Sequence, residues 1–97
     1  MKLLVKTFFH LEKAMGGHRT LEVEEEGILT LKDLMGHLSG RFGKDLTDLI
    51  LDPETGNFVS HLMLLVNGKN HLFLPDRLNS TLKDGDEIAI FPPIAGG

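Results

Sequence analysis

Asp84-Gly85-Asp86-Glu87-Ile88-Ala89-Ile90-Phe91-Pro92-Pro93-Ile94-Ala95-Gly96-Gly97 closes the sequence with a turn, a strand and an abrupt stop. Asp84-Gly85 has turn chemistry, because aspartate bonds its own backbone and glycine accepts a positive φ. From Asp86 the alternation fits a strand, with Ile88 and Ile90 on one face and Ala89 and Phe91 on the other. Pro92-Pro93 ends it, since proline donates no hydrogen bond to a sheet ladder. Beyond the prolines the chain is almost all backbone: Ile94, Ala95 and two glycines.

Upstream of this end, His61 to Val66 forms an apolar strand and Asn67-Gly68 the tight turn after it. His71 to Leu74 is expected as a shorter strand or extended piece. Further back lies an amphipathic helix. Thr30 is its N-cap and Asp33 puts negative charge in the first turn. Leu31, Leu34, Met35, Leu38 and Phe42 recur at the spacing of one buried face. Gly36 and Gly40 each cost about 1 kcal/mol relative to alanine, so tertiary packing must hold the helix. Gly43 stops it. Leu46, Leu49 and Ile50 suggest one more helical turn before the surface turn Asp52-Pro53-Glu54-Thr55-Gly56. At the start, Lys2 to Phe9 alternates as a strand. Thr20 to Glu24 alternates again, and the connection through Gly16-Gly17 makes a hairpin with a long loop.

The order is strand, strand, helix, strand, short strand, strand. One amphipathic helix cannot bury its own stripe, so it packs on one face of a mixed sheet and leaves the other face uncovered. The predicted core is Leu3, Val5, Leu21, Val23, Leu34, Leu38, Ile88 and Ile90. Ninety-seven residues hold one domain, expected over residues 1–91, followed by a flexible tail over 92–97.

Composition narrows the function. The absence of cysteine excludes disulfides, thiolate metal sites and a cysteine nucleophile on this chain. A net charge of −4 argues against nucleic acid, which asks for a basic stripe. No apolar run approaches the ~20 residues of a membrane span, and the start lacks a signal-peptide core, so a cytoplasmic protein is expected. The histidines at 10, 18, 37, 61 and 71 show no ligand spacing, and no metal or permanently bound cofactor is expected. Glu22, Glu24, Glu25 and Glu26 read as a solvated strand edge that discourages pairing. Ser39, Ser60 and Ser80 lack the nucleophile-elbow context, and no phosphate-binding glycine loop is present.

The chemistry therefore points to the tail. Six residues beyond Phe91 reach about 20 Å when extended. That is enough to carry a terminal carboxylate into another protein's active site, and Gly96 and Gly97 leave room for the backbone in a narrow channel. A carboxylate resists nucleophilic attack, so a partner must activate it, most simply by adenylation with ATP. In this reading the chain is substrate and carrier while its partners are the enzymes. Leu4 and Phe8 of the first strand share the face of Ala89 and Phe91 if those strands are neighbours. A partner surface is expected there, unless loop 69–80 folds over it.

Residues 84–97 resemble the C-terminal signature of the MoaD family, the small subunit of molybdopterin synthase. Val66-Asn67-Gly68 and the Leu82-Lys83 lead-in match as well, and Val5-Lys6-Thr7 is similar to the opening of ubiquitin. The resemblance implies an α+β, ubiquitin-like β-grasp fold: a mixed four- to five-stranded sheet with one main helix on one face. It implies that a ubiquitin-activator-like enzyme adenylates Gly97, that a thiocarboxylate forms, and that the tail delivers sulfur inside the large synthase subunit to a pterin precursor of the molybdenum or tungsten cofactor. Gly96 threads the channel, while Phe91, Pro92, Pro93, Ile94, Ala95, Leu4 and Phe8 meet the partner. Asp52 to Ser60 is longer than in short members. The same fold and tail also serve protein modifiers joined to lysines, and carriers for thiamine or transfer RNA thiolation.

Overall fold

The computed structural model describes residues 1–8 and 10–91. Phe9, the expected end of the first strand, and the tail 92–97 lie outside them. Five strands form one mixed sheet: β1 (Lys2–Thr7), β2 (Thr20–Glu24), β3 (Met63–Val66), β4 (Lys69–Asn70) and β5 (Glu87–Phe91), in the order β2-β1-β5-β3-β4. β5 is central. It runs parallel to β1, with Val5 opposite Ile88, and antiparallel to β3, with Leu64 opposite Ile90. The acidic β2 is an edge strand, as its glutamates suggest.

Strand alternation sends Leu3, Val5, Leu21, Val23, Leu64, Ile88 and Ile90 to one face, where they are buried. Helix α2 (Leu31–Phe42) covers that face with Leu31, Leu34, Met35 and Leu38. All eight predicted core residues are buried. Thr30 and Asp33 complete a reciprocal capping box: Thr30 Oγ1 accepts from the Asp33 amide at 3.2 Å, and Asp33 Oδ2 accepts from the Thr30 amide at 3.0 Å. Asp33 also accepts from Leu29 N, and these amides hold its carboxyl below the ordinary aspartate range. Gly36 and Gly40 face open space, so their helix-propensity cost serves no packing. Gly43, at φ 76°, breaks the helix in a conformation that suits glycine, and α3 (Lys44–Ile50) starts at once, burying Leu46 and Ile50.

Three expectations change. The hairpin connection contains a short helix, α1 (His10–Ala14), and Leu11 and Met15 are fully buried. Its one and a half turns are too short for a periodic signal, so it reads as loop. The third strand begins at Met63 rather than His61. His71 to Leu74 is not a strand: β4 ends at Asn70 and a 3-10 turn takes over at His71–Phe73. Asn70 Oδ1 caps this turn by accepting from the Leu72 amide, so a side chain replaces the ladder partner that a strand would need. The longer middle, Asp52 to Ser60, closes on itself through an isolated Leu51–Phe58 bridge and delivers Phe58 to the core.

Candidate functional site: the sheet face at the root of the tail

The face turned away from α2 is where the tail begins. Strand alternation puts Leu4, Lys6 and Phe8 there from the β1 side, Glu87, Ala89 and Phe91 from β5, and Met63 and Leu65 from β3. The registers arrange them in rows. Lys6, Ala89 and Leu65 form one row across the three strands. In the next row Phe91 lies opposite Met63, and on its other side the Phe8 ring meets the Phe91 ring edge-on, centroids 5.6 Å apart. This geometry satisfies the aromatic quadrupoles while leaving both rings reachable. Phe8 is 37% exposed and Phe91 is half-buried.

Phe91 and Phe8 are thus brought together as the sequence suggests. Leu4 lies on the same face but not in the same cluster. It sits opposite Glu87, roughly 13 Å along the strand from Phe91's level at about 3.3 Å per residue. Between the two ends Lys6 Nζ contacts Glu87 Oε1 at 3.0 Å. Both side chains are partly exposed, and such a pair adds little to stability. It does divide the face into an apolar half beside the tail and a charged half that also holds the Lys2–Glu22 pair. Loop 69–80 does not cover Phe91. Its 3-10 turn at Arg77–Asn79 packs against α2, and His71 is buried on the core side beneath Leu64 and Phe58.

Sequence reasoning missed Met63 and Leu65. The signal was available in Leu62-Met63-Leu64-Leu65-Val66, an unbroken apolar run in which both strand faces are apolar although only one meets the helix. Pro92, Pro93, Ile94, Ala95, Gly96 and Gly97 lie outside the described residues. Among the described residues no three histidines or carboxylates gather as metal ligands, and no helix is long and apolar enough to cross a membrane. What the face offers chemically is an apolar binding surface beside the Lys6–Glu87 pair.

A mixed sheet with one long helix on one face, and its central strand running out toward a Gly-Gly sequence, defines a ubiquitin-like β-grasp protein. The chain belongs to the ThiS family, whose model matches residues 7–97. It is 37% identical over 78 residues to a provisionally named sulfur carrier protein of Archaeoglobus fulgidus, covering 79% of this chain and 83% of that one. It is 29% identical over 90 residues to small archaeal modifier protein 3 of Haloferax volcanii, covering 93% and 94%. The crystal structure of SAMP1 from the same organism superposes with a TM-score of 0.77 at 29% identity over the full length of both chains. The chain's kin are thus ubiquitin-like sulfur carriers and small modifiers.

Proposed function

We propose that the chain is a sulfur carrier whose working group is the carboxylate of Gly97. The observation that carries this reading is the Phe8–Phe91–Met63 cluster, an apolar foothold at the point where a side-chain-poor tail departs. A ubiquitin-activator-like enzyme docks on it and draws in the tail. There the carboxylate attacks ATP, releasing pyrophosphate and forming an acyl-adenylate. Hydrosulfide supplied by a donor then displaces AMP, leaving a thiocarboxylate at Gly97. The Phe91-Pro92-Pro93 signature supports a molybdopterin role. The loaded tail would enter the large synthase subunit, pass its sulfur to a pterin precursor and return as a carboxylate.

The modifier reading comes second, supported by the similarity to small archaeal modifier protein 3. It uses the same adenylate, with a lysine amine in place of sulfur as the nucleophile. Intact-mass measurement of the protein purified from its native cells separates the two. A terminal oxygen replaced by sulfur supports the carrier, and Gly-Gly remnants on lysines of other proteins support the modifier. Deleting Gly97 is expected to abolish thiocarboxylate formation and leave thermal unfolding unchanged. Normal loading of the shortened chain would overturn the proposal.

A further inference from the structure

The apolar row at the root of the tail does not end at β3. Antiparallel pairing sets Leu65 opposite Asn70, and the chain then leaves the ladder in the 3-10 turn that carries Leu72. Leu72 and Met63 line one cavity of about 230 Å³, with Phe58 and Leu62 in the same wall. Phe8 meets Phe91, Phe91 lies opposite Met63, and Met63 shares a cavity wall with Leu72, so these four apolar side chains follow one another toward the β4 edge. Phe73 comes next in the chain. Leu72 is 53% exposed and Phe73 74% exposed, so this dipeptide leaves a large apolar surface in water.

The turn that displays them is held in place. His71, 7% exposed, anchors it from below through Nδ1 to the Leu64 carbonyl, and its ring stands edge-on to Phe58. Asn70 Oδ1 receives the Leu72 amide at 3.0 Å, and the Leu74 amide returns to the His71 carbonyl at 3.0 Å. An ordered turn that lifts a leucine and a phenylalanine out of the core beside an apolar row has the form of an interface rather than a scattered surface residue.

The path of the chain identifies the occupant. The six residues beyond Phe91 reach at most about 20 Å, so an enzyme that takes in the tail end works within that distance of the row. We infer that Leu72 and Phe73 are a specificity arm for the adenylating enzyme, which carries an apolar shelf extending past the β4 edge. The adenylating enzyme is the occupant because carrier and modifier chemistry both begin with it. The inference rests on the proposal that Gly97 is activated, but not on what later receives the tail.

The test is pyrophosphate exchange catalysed by the ubiquitin-activator-like enzyme of the same organism, with the full chain as variable substrate. Leu72→Ser with Phe73→Ser is compared with Leu29→Ser, which removes another exposed apolar residue (60% exposed) from outside the row. The double variant is expected to raise KM at least tenfold with kcat unchanged, and Leu29→Ser to change neither. An unchanged KM, or a loss confined to kcat, overturns the arm. If the parent chain supports no exchange, it is the activation of Gly97 that fails, which the parent measurement shows by itself. Should the double variant unfold, Phe73→Glu alone decides, since that side chain is mostly in solvent: an unchanged KM again overturns the arm.

Discussion

Phe91→Ala should separate docking from folding. The ring is half-buried, so its truncation removes about half of the 1.5–3 kcal/mol that full burial of a large apolar side chain provides. The edge-on contact with Phe8 adds about 0.5–1.5 kcal/mol. The expected cost to the fold is therefore about 2 kcal/mol, which a domain with the usual 5–15 kcal/mol survives. Phe8→Ala and the double variant close a thermodynamic cycle in urea denaturation, and the coupling should match the aromatic-pair value. Docking should suffer more. A central aromatic anchor contributes about 2 kcal/mol or more, around thirtyfold in affinity for the adenylating enzyme. Calorimetric titration of that enzyme with each folded variant measures it. Affinity within about threefold of the parent would refute the assignment of Phe91 as anchor. A fold cost above about 4 kcal/mol would refute it from the other side, showing that the ring belongs to the core.

Two further perturbations test other parts of the structure. Leu38→Ala empties a fully buried position between α2 and the sheet and should cost about 2–5 kcal/mol in denaturation; a loss below about 0.5 kcal/mol would contradict the packing. His71 gives a pH dependence. Burial, with Arg77 adding repulsion, lowers its pKa below the ordinary 6.5, while its bond to the Leu64 carbonyl opposes the shift. The unfolded chain therefore binds this proton first, so His71 costs no stability above about pH 6.5 and a growing amount as pH falls from there toward its folded-state pKa. His71→Phe should remove that component from the difference between stabilities measured at pH 7.5 and 5.5, and an identical difference in both proteins would disprove the effect.

The parts of this fold that were legible in sequence are those where one physical rule acts alone. The capping box at Thr30 and Asp33 is local chemistry, and the stripe from Leu31 to Leu38 has a single period. The final strand is bounded by turn residues at one end and prolines at the other, and its two faces differ plainly in Ile88/Ile90 against Ala89/Phe91. Legibility fails where the deciding partner is distant. Leu11 and Met15 reveal a helix only because the core receives them, for five residues carry no period of their own. His71 to Leu74 has the composition of a strand, but burial of His71 against Leu64 and Phe58 turns the chain out of the ladder. The apolar sheet face was half visible: alternation predicts Phe8 and Phe91, whereas Met63 and Leu65 depend on knowing that β3 lies beside β5.

The parallel pairing of β1 with β5 has a mechanical consequence. The chain enters the sheet at Lys2 and leaves it at Phe91, at opposite ends of two adjacent strands that point the same way. A pull between the start of the chain and anything attached at Gly97 therefore loads those strands in shear. The ladder bonds from Leu4 to Thr7 resist together instead of opening one at a time, and β3 braces β5 from its other side. Any load on that end of the chain thus falls on the central strand of the sheet rather than on an edge that could peel away.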